Sequence, residues 1–179
     1  ELKNLHNFNI DDIPFKKSEV DVIYCAHVIE HIETEFVEKF FVESKRVLKN
    51  KGVLRIACPD SFFLYKQLIN HPEYFSWHPM YNNSQNNIEC FIDEVGTHNL
   101  KLNNYGLEKK IHEYDYETLL KELRKNGNFD SKNPDYHINN WDFDRVSKIG
   151  KKAKFKKIIK SRAGASVSKN MQGFDMDLT

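Results

Sequence analysis

The sequence predicts an α/β fold built on a parallel sheet, and three observations carry that reading. A short run of β-branched, aromatic and small residues, VDVIYCA at Val20–Ala26, carries apolar residues on both faces, as a buried strand of a parallel sheet does. A helical period follows it, and a second apolar run, VLRIAC at residues 53–58, follows the helix. Strand, helix and strand with short joints form a right-handed crossover unit whose strands lie parallel in one sheet.

Each element has its own signal. Residues 16–19 make a polar turn that opens the first strand. Ile32, Phe36, Val37, Phe40, Phe41, Ser44, Val47 and Leu48 then recur at three- and four-residue steps, leaving Glu35, Glu38, Lys39, Lys45 and Lys49 on the outer side. Asn50-Lys51-Gly52 is expected to close this helix, with Gly52 in the left-handed conformation that ends helices. Pro59-Asp60 stops the second strand, and residues 61–69 (SFFLYKQLI) read as a helix capped by Asp60 or Ser61. From about residue 70 to 105 the chain is rich in Asn, His, Pro and aromatics without a clear period; a loop of that length usually has a role, such as covering a site. Asp115 caps an amphipathic helix through Tyr116, Leu119, Leu120 and Leu123 that ends near Gly127. Residues from Phe129 onward are ambiguous, and a basic stretch covers residues 148–162. The organisation expected is a single domain over residues 1–179, with core segments 13–70 and 112–135 and an insertion at about 70–111.

Composition narrows the function classes. The 179 residues suffice for one buried core, and 40% hydrophobic with 13% aromatic residues fits a globular chain rather than a disordered one. A net charge of +1 makes nucleic acid an unlikely partner and gives no steering toward anionic membrane. No apolar run approaches the roughly 20 residues of a membrane span, and no basic-then-apolar secretion signal opens the chain. Cys25, Cys58 and Cys90 are odd in number and widely spaced, which suits a reducing cytoplasm better than a disulfide framework. Oligomeric state is not legible.

Three passages, in order and correctly spaced, resemble the type-11-like branch of the class I methyltransferases. They are Ile13-Pro14-Phe15, a polar turn and Val20-Asp21-Val22-Ile23-Tyr24; then His27-Val28-Ile29-Glu30-His31; then Arg46-Val47-Leu48-Lys49 with Gly52-Val53-Leu54-Arg55-Ile56 and Pro59-Asp60. Weaker echoes follow at Tyr114-Asp115-Tyr116-Glu117-Thr118-Leu119 and over residues 164–175. The resemblance implies a Rossmann-like sheet with helices on both faces and S-adenosylmethionine as cofactor. It sets the backbone around Ala26 and His27 beside the cofactor's methionine part, and Asn9, Ile10 and Asp11 against the adenine. Which of Asn9, Asp11 and Asp12 accepts the exocyclic amine's hydrogen bond stays open. The family's Pro-Gly-Gly is replaced here by Asn50-Lys51-Gly52, and its G-x-G loop and following acid are expected upstream of Glu1. An intact loop there favours the enzyme; its absence favours the alternative, a non-catalytic scaffold derived from the same fold. The acceptor expected is a small molecule or a glycan, since loops and inserts set it rather than the sheet.

In open α/β sheets ligands sit outside the carboxyl ends of the strands, here Cys25, Ala26 and His27 after the first strand and Cys58, Pro59 and Asp60 after the second. Methyl transfer from a sulfonium needs positioning and somewhere for a proton to go. His27 is the first choice for a general base, with His31 and Glu30 behind it; all three also suit a plain structural role at the strand-to-helix turn. The same five residues spell H-x-x-E-H, a zinc-peptidase motif that needs both histidines one turn apart on a helix. His27 directly follows a strand-like run, so that geometry and the zinc-hydrolase reading are disfavoured, and no metal ligand is assigned. The lysines of residues 148–162 alternate with Ile149, Phe155, Ile158 and Ile159, as on the solvated face of an ordinary helix. Tyr74, Phe75, Trp77, His78, Met80 and Tyr81 either line an acceptor or partner surface or fill a small core, and Trp77 is the candidate stacking surface.

Overall fold

Val20–Ala26 forms a strand, β1, that pairs in parallel with a second strand, β2, at Leu48–Ala57, and the helix between them, α1, spans Thr34–Val47. The computed structural model describes residues 9–10, 12–82, 87–95, 113–126, 137–162, 165–166 and 171. They fall into two compact units, one of residues 1–29, 33–57 and 143–179, the other of residues 30–32 and 58–142.

In the first unit α1 buries Val37, Phe40, Phe41, Ser44 and Val47, the stripe its period predicts. A further helix, Phe143–Lys152, buries Ser147, Ile149 and Gly150. Hydrogen at Gly150 admits close packing: a Cβ there would lie 2.9 Å from the Ile158 side chain and 3.8 Å from the ring of Phe41. The helical part of the basic stretch stops at Lys152, and residues 155–162 follow outside any helix. They are held instead by Arg55 of β2, whose guanidinium donates to Ser161 Oγ at 3.2 Å and to the carbonyls of Ala165 and Arg162 at 3.1 and 3.3 Å.

Arg46 clamps the Ile13-Pro14-Phe15 passage. Its guanidinium donates to the carbonyl oxygens of Ile13 and Phe15 at 2.9 and 2.8 Å and makes a forked pair with Glu43. The Arg46 hydrogen bond holds the Glu43 carboxyl below its ordinary range, with burial opposing it. Two passages that look unrelated in sequence are thus one structural joint.

The turn at residues 50–52 departs from expectation. α1 runs directly into β2 at Leu48, so Asn50-Lys51-Gly52 lies inside the strand rather than closing the helix. Tertiary pairing overrides the local signal: Val20 pairs with Leu48 and Val22 with Val53, leaving four residues of β2 opposite Asp21 alone. Lys51, not Gly52, takes the left-handed conformation, at φ 66°. Gly52 is needed for close approach, since a Cβ would meet Leu48 Cδ2 and the Lys49 carbonyl at 3.0 Å and the Asp21 carbonyl at 3.1 Å. Full burial of β1 on both faces is also not seen. Cys25 is buried, while Val20, Val22, Ile23, Tyr24 and Ala26 are half-buried.

In the second unit α2 is Ser61–Asn70, with Asp60 as its N-cap accepting from the Phe63 amide at 3.1 Å. A helix missed in the sequence, α3 at Asn87–Val95, follows a 3-10 turn at Pro72–Trp77. Then α4, Tyr116–Asn126, starts at Asp115, whose Oδ1 accepts from the Thr118 amide at 2.8 Å. With the helix of the first unit, Phe143–Lys152, numbered α5, the order of helices is complete for the described residues. Leu64 and Leu68 of α2, Phe75, then Ile88, Phe91, Ile92 and Val95 of α3 and Leu119, Leu120 and Leu123 of α4 form one core. Gly127 and the segment from Phe129 to residue 136 lie outside the described residues, as do nearly all of residues 164–175.

Candidate active site

The carboxyl end of the β1–β2 pair is built by main-chain pairing. Cys25 pairs with Ile56 and Ala26 with Ala57, and the His27 amide adds one more bond, to the Ala57 carbonyl at 2.9 Å. His27 then leaves the strand with φ 51°, a left-handed conformation uncommon for any residue but glycine. That turn stops β1 and sends its imidazole to solvent: His27 is exposed, Ala26 half-buried and Cys25 buried. A 3-10 turn, Ile29–His31, comes next, and Glu33 takes the N-cap of α1 without a side-chain cap bond.

His27 and His31 therefore do not share a helix. The first stands at a left-handed strand end and the second closes a 3-10 turn, so the two-imidazole geometry of an H-x-x-E-H zinc peptidase is not made.

Glu30 is 1% exposed and His31 half-buried, both in the second unit, where a residue from far along the chain joins them. One ligand-type atom each of Glu30, His31 and His137 lies within 4.8 Å of the others, and the His31 and His137 rings meet edge to face with centroids 4.7 Å apart. Three bonds bring the segments together. The Ile138 and Asn139 amides donate to the Glu30 carbonyl at 2.8 and 3.0 Å, and Asn139 Nδ2 donates to the Ile32 carbonyl. His137 was not anticipated, and no local pattern around a lone histidine marks it.

Asn9 is exposed, Ile10 half-buried in a turn, and the Asn9 carbonyl accepts from the Asp12 amide at 3.0 Å; Asp11 lies outside the described residues. The aromatic cluster divides. Phe75 and His78 are buried, His78 Nε2 lying 3.1 Å from Asp93 and 3.6 Å from Glu94, whereas Trp77 and Met80 are 52% and 44% exposed. Tyr74 packs on the core, and burial, then the charge of Glu94, push its phenol up. A groove of about 390 Å³ in the first unit, lined by Glu35, Glu38, Lys39, Val42, Ile149 and Lys152 among others, contains none of the expected site residues. All three cysteines are free thiols. Among the described residues no helix is long and apolar enough to cross a membrane.

Parallel strands joined through a helix, with a tight turn at their carboxyl end, define a mixed α/β unit with the makings of a ligand-binding edge. Residues 2–56 match the family described as "Methyltransferase domain", so this segment is similar to class I S-adenosylmethionine-dependent methyltransferases of the type-11 branch. Such domains are Rossmann-like and generally use S-adenosylmethionine; the described residues of this chain contain a sheet of two parallel strands. No curated protein and no solved structure matched the chain.

Proposed function

We propose that this protein transfers a methyl group from S-adenosylmethionine to a small-molecule or glycan acceptor. The observation that carries the reading is the methyltransferase-domain match over residues 2–56, which ends within β2 and includes the β1 edge at Cys25, Ala26 and His27. The edge suits such a cofactor: Ala26 has a small side chain, and the chain turns away at His27 in a left-handed conformation. Cys25, Ala26 and His27 would hold the methionine part by backbone and shape, and Asn9, Ile10 and Asp11 the adenine. When bound, the cofactor supplies a methyl group activated on a sulfonium.

The protein's own share is positioning and proton management. His27 accepts the proton that the acceptor's hydroxyl or amine loses as its oxygen or nitrogen takes the methyl group. An exposed imidazole at the strand end reaches a bound acceptor without being buried first. Glu30 and His31, three and four residues further on, are the other candidates for direct chemistry.

The test is product analysis after incubation of the full-length protein with methyl-labelled S-adenosylmethionine and panels of glycans and small hydroxylated or amine metabolites. Label should pass to at least one acceptor, and His27→Ala should slow transfer by about 10²–10⁴ without loss of cofactor binding. Cofactor binding without transfer to any panel member would favour a scaffold derived from the fold.

A further inference from the structure

We propose that Glu30, His31 and His137 form a binding site for a divalent transition-metal ion, with zinc the ion their chemistry suits first. The three residues belong to one compact unit, and their ligand-type atoms lie within 4.8 Å of one another. Zinc bonds to imidazole nitrogen and carboxylate oxygen are about 2.0–2.2 Å, so modest side-chain rotation closes the donors on an ion.

The hydrogen bond made by the His137 ring is a separate observation that points the same way. Its Nδ1 lies 2.7 Å from the main-chain carbonyl oxygen of Glu94. A carbonyl oxygen only accepts, so Nδ1 carries the hydrogen and Nε2 of the neutral ring keeps its lone pair. Metal-ligating histidines are held in this way, one ring nitrogen donating to a carbonyl or carboxylate while the other binds the ion. Glu94 lies 43 residues from His137 in sequence and outside the donor cluster.

The frame is also preformed. Main-chain bonds from Ile138 and Asn139 to the Glu30 carbonyl set the spacing of the two segments, and the Asn139 side chain ties the same strip to Ile32. Backbone pairing thus brings the two segments together, and the edge-to-face contact of the His31 and His137 rings sets the donors side by side. Two imidazoles and one carboxylate are a donor set used by zinc and by non-haem iron(II), whereas magnesium and calcium prefer oxygen ligands throughout. Glu30 is 1% exposed, and His31 and His137 are half-buried. Three protein donors leave a tetrahedral ion one position for water or another ligand.

The assignment makes Glu30 and His31 ligands and leaves proton transfer to His27. It requires no hydrolytic step and does not rest on the methyl-transfer reading, so each can fail alone. Metal-stripped full-length protein is titrated with Zn²⁺ against a chromophoric chelator, with cofactor and acceptor omitted. One ion should bind per chain. His31→Ala and His137→Ala should each weaken it by at least about 100-fold, the upper end of what losing an outer-sphere partner costs. Glu30→Gln, which keeps the volume of the buried side chain, should weaken it too, with circular dichroism reporting the fold. His71→Ala, at a histidine 62% exposed and outside the cluster, should leave the affinity unchanged.

A measurement on the unmutated protein guards against variants that fail to fold. Long-range ¹H–¹⁵N spectra should show the His31 and His137 ring nitrogens shifting with one equivalent of Zn²⁺ and those of His71 staying in place. No stoichiometric binding by the unmutated protein, equal affinity in the two alanine variants, or unshifted His31 and His137 resonances would each overturn the proposal.

Discussion

His27 offers a perturbation that separates backbone strain from side-chain chemistry. Its φ of 51° places an L-residue with a Cβ in the left-handed region at the end of β1. That conformation costs about 1–2 kcal/mol for a non-glycine residue. Glycine removes the cost but makes the unfolded chain more flexible, which takes back about 0.4–1 kcal/mol. His27→Ala and His27→Gly both delete the exposed imidazole, so the difference between them isolates the backbone. His27→Gly should be the more stable by about 0.8 kcal/mol, the difference between the midpoints of those two ranges. In a chain of this length that is a rise of about 1–4 °C in melting temperature relative to His27→Ala. Urea denaturation read by far-ultraviolet circular dichroism provides the comparison, with equal slopes required so that midpoints report stability. A glycine variant no more stable than the alanine variant would refute the argument, because it would mean that the turn after β1 does not constrain residue 27 to the left-handed region.

Three other outcomes follow from the packing. Gly52→Ala should destabilise the protein by about 1–3 kcal/mol, as overpacking does, because its Cβ would press on the Lys49 and Asp21 carbonyls at 3.0 and 3.1 Å; equilibrium denaturation measures this. The Glu43 carboxyl is held below its ordinary value of 4.5 by the Arg46 hydrogen bond, so the stability it contributes is fully present above that value and is lost as pH falls through the depressed folded value. Glu43→Gln should flatten that acid limb of the stability–pH curve, and an unchanged limb would remove Glu43 from the account. Among the thiols, half-buried Cys58 should react fastest with an aromatic disulfide reagent, ahead of buried Cys25 and Cys90, and burial additionally pushes the Cys90 thiol up. Labelling followed by peptide mass mapping ranks the three.

The parts of the fold legible in sequence are those whose signal is local. Val20–Ala26 announces itself by β-branched, aromatic and small residues that are apolar throughout except at Asp21, and α1 by apolar residues at helical spacing. Asp60 and Asp115 sit where N-caps belong, and each accepts from the amide three residues on. Residues 50–52 misled because parallel pairing of Val20 with Leu48 draws the end of α1 straight into a strand, a long-range event that no turn propensity reports. α3 was legible in principle: Ile88, Phe91, Ile92 and Val95 fall at helical spacing and are all buried, but the Asn-rich run before them reads as loop. In the site, the His27 edge follows from the strand it ends. His137 does not, because bonds between residues over 100 positions apart, from Ile138 and Asn139 to the Glu30 carbonyl and from the Asn139 side chain to Ile32, bring it to Glu30.

The central claim is that the edge at Cys25, Ala26 and His27 belongs to a working cofactor site. The most direct test is calorimetric titration of the full-length protein with S-adenosylmethionine and with its demethylated product. The account predicts saturable one-to-one binding of both, and weakened binding when Ala26→Leu fills the space beyond the strand. Failure of the full-length protein to bind either compound would contradict it.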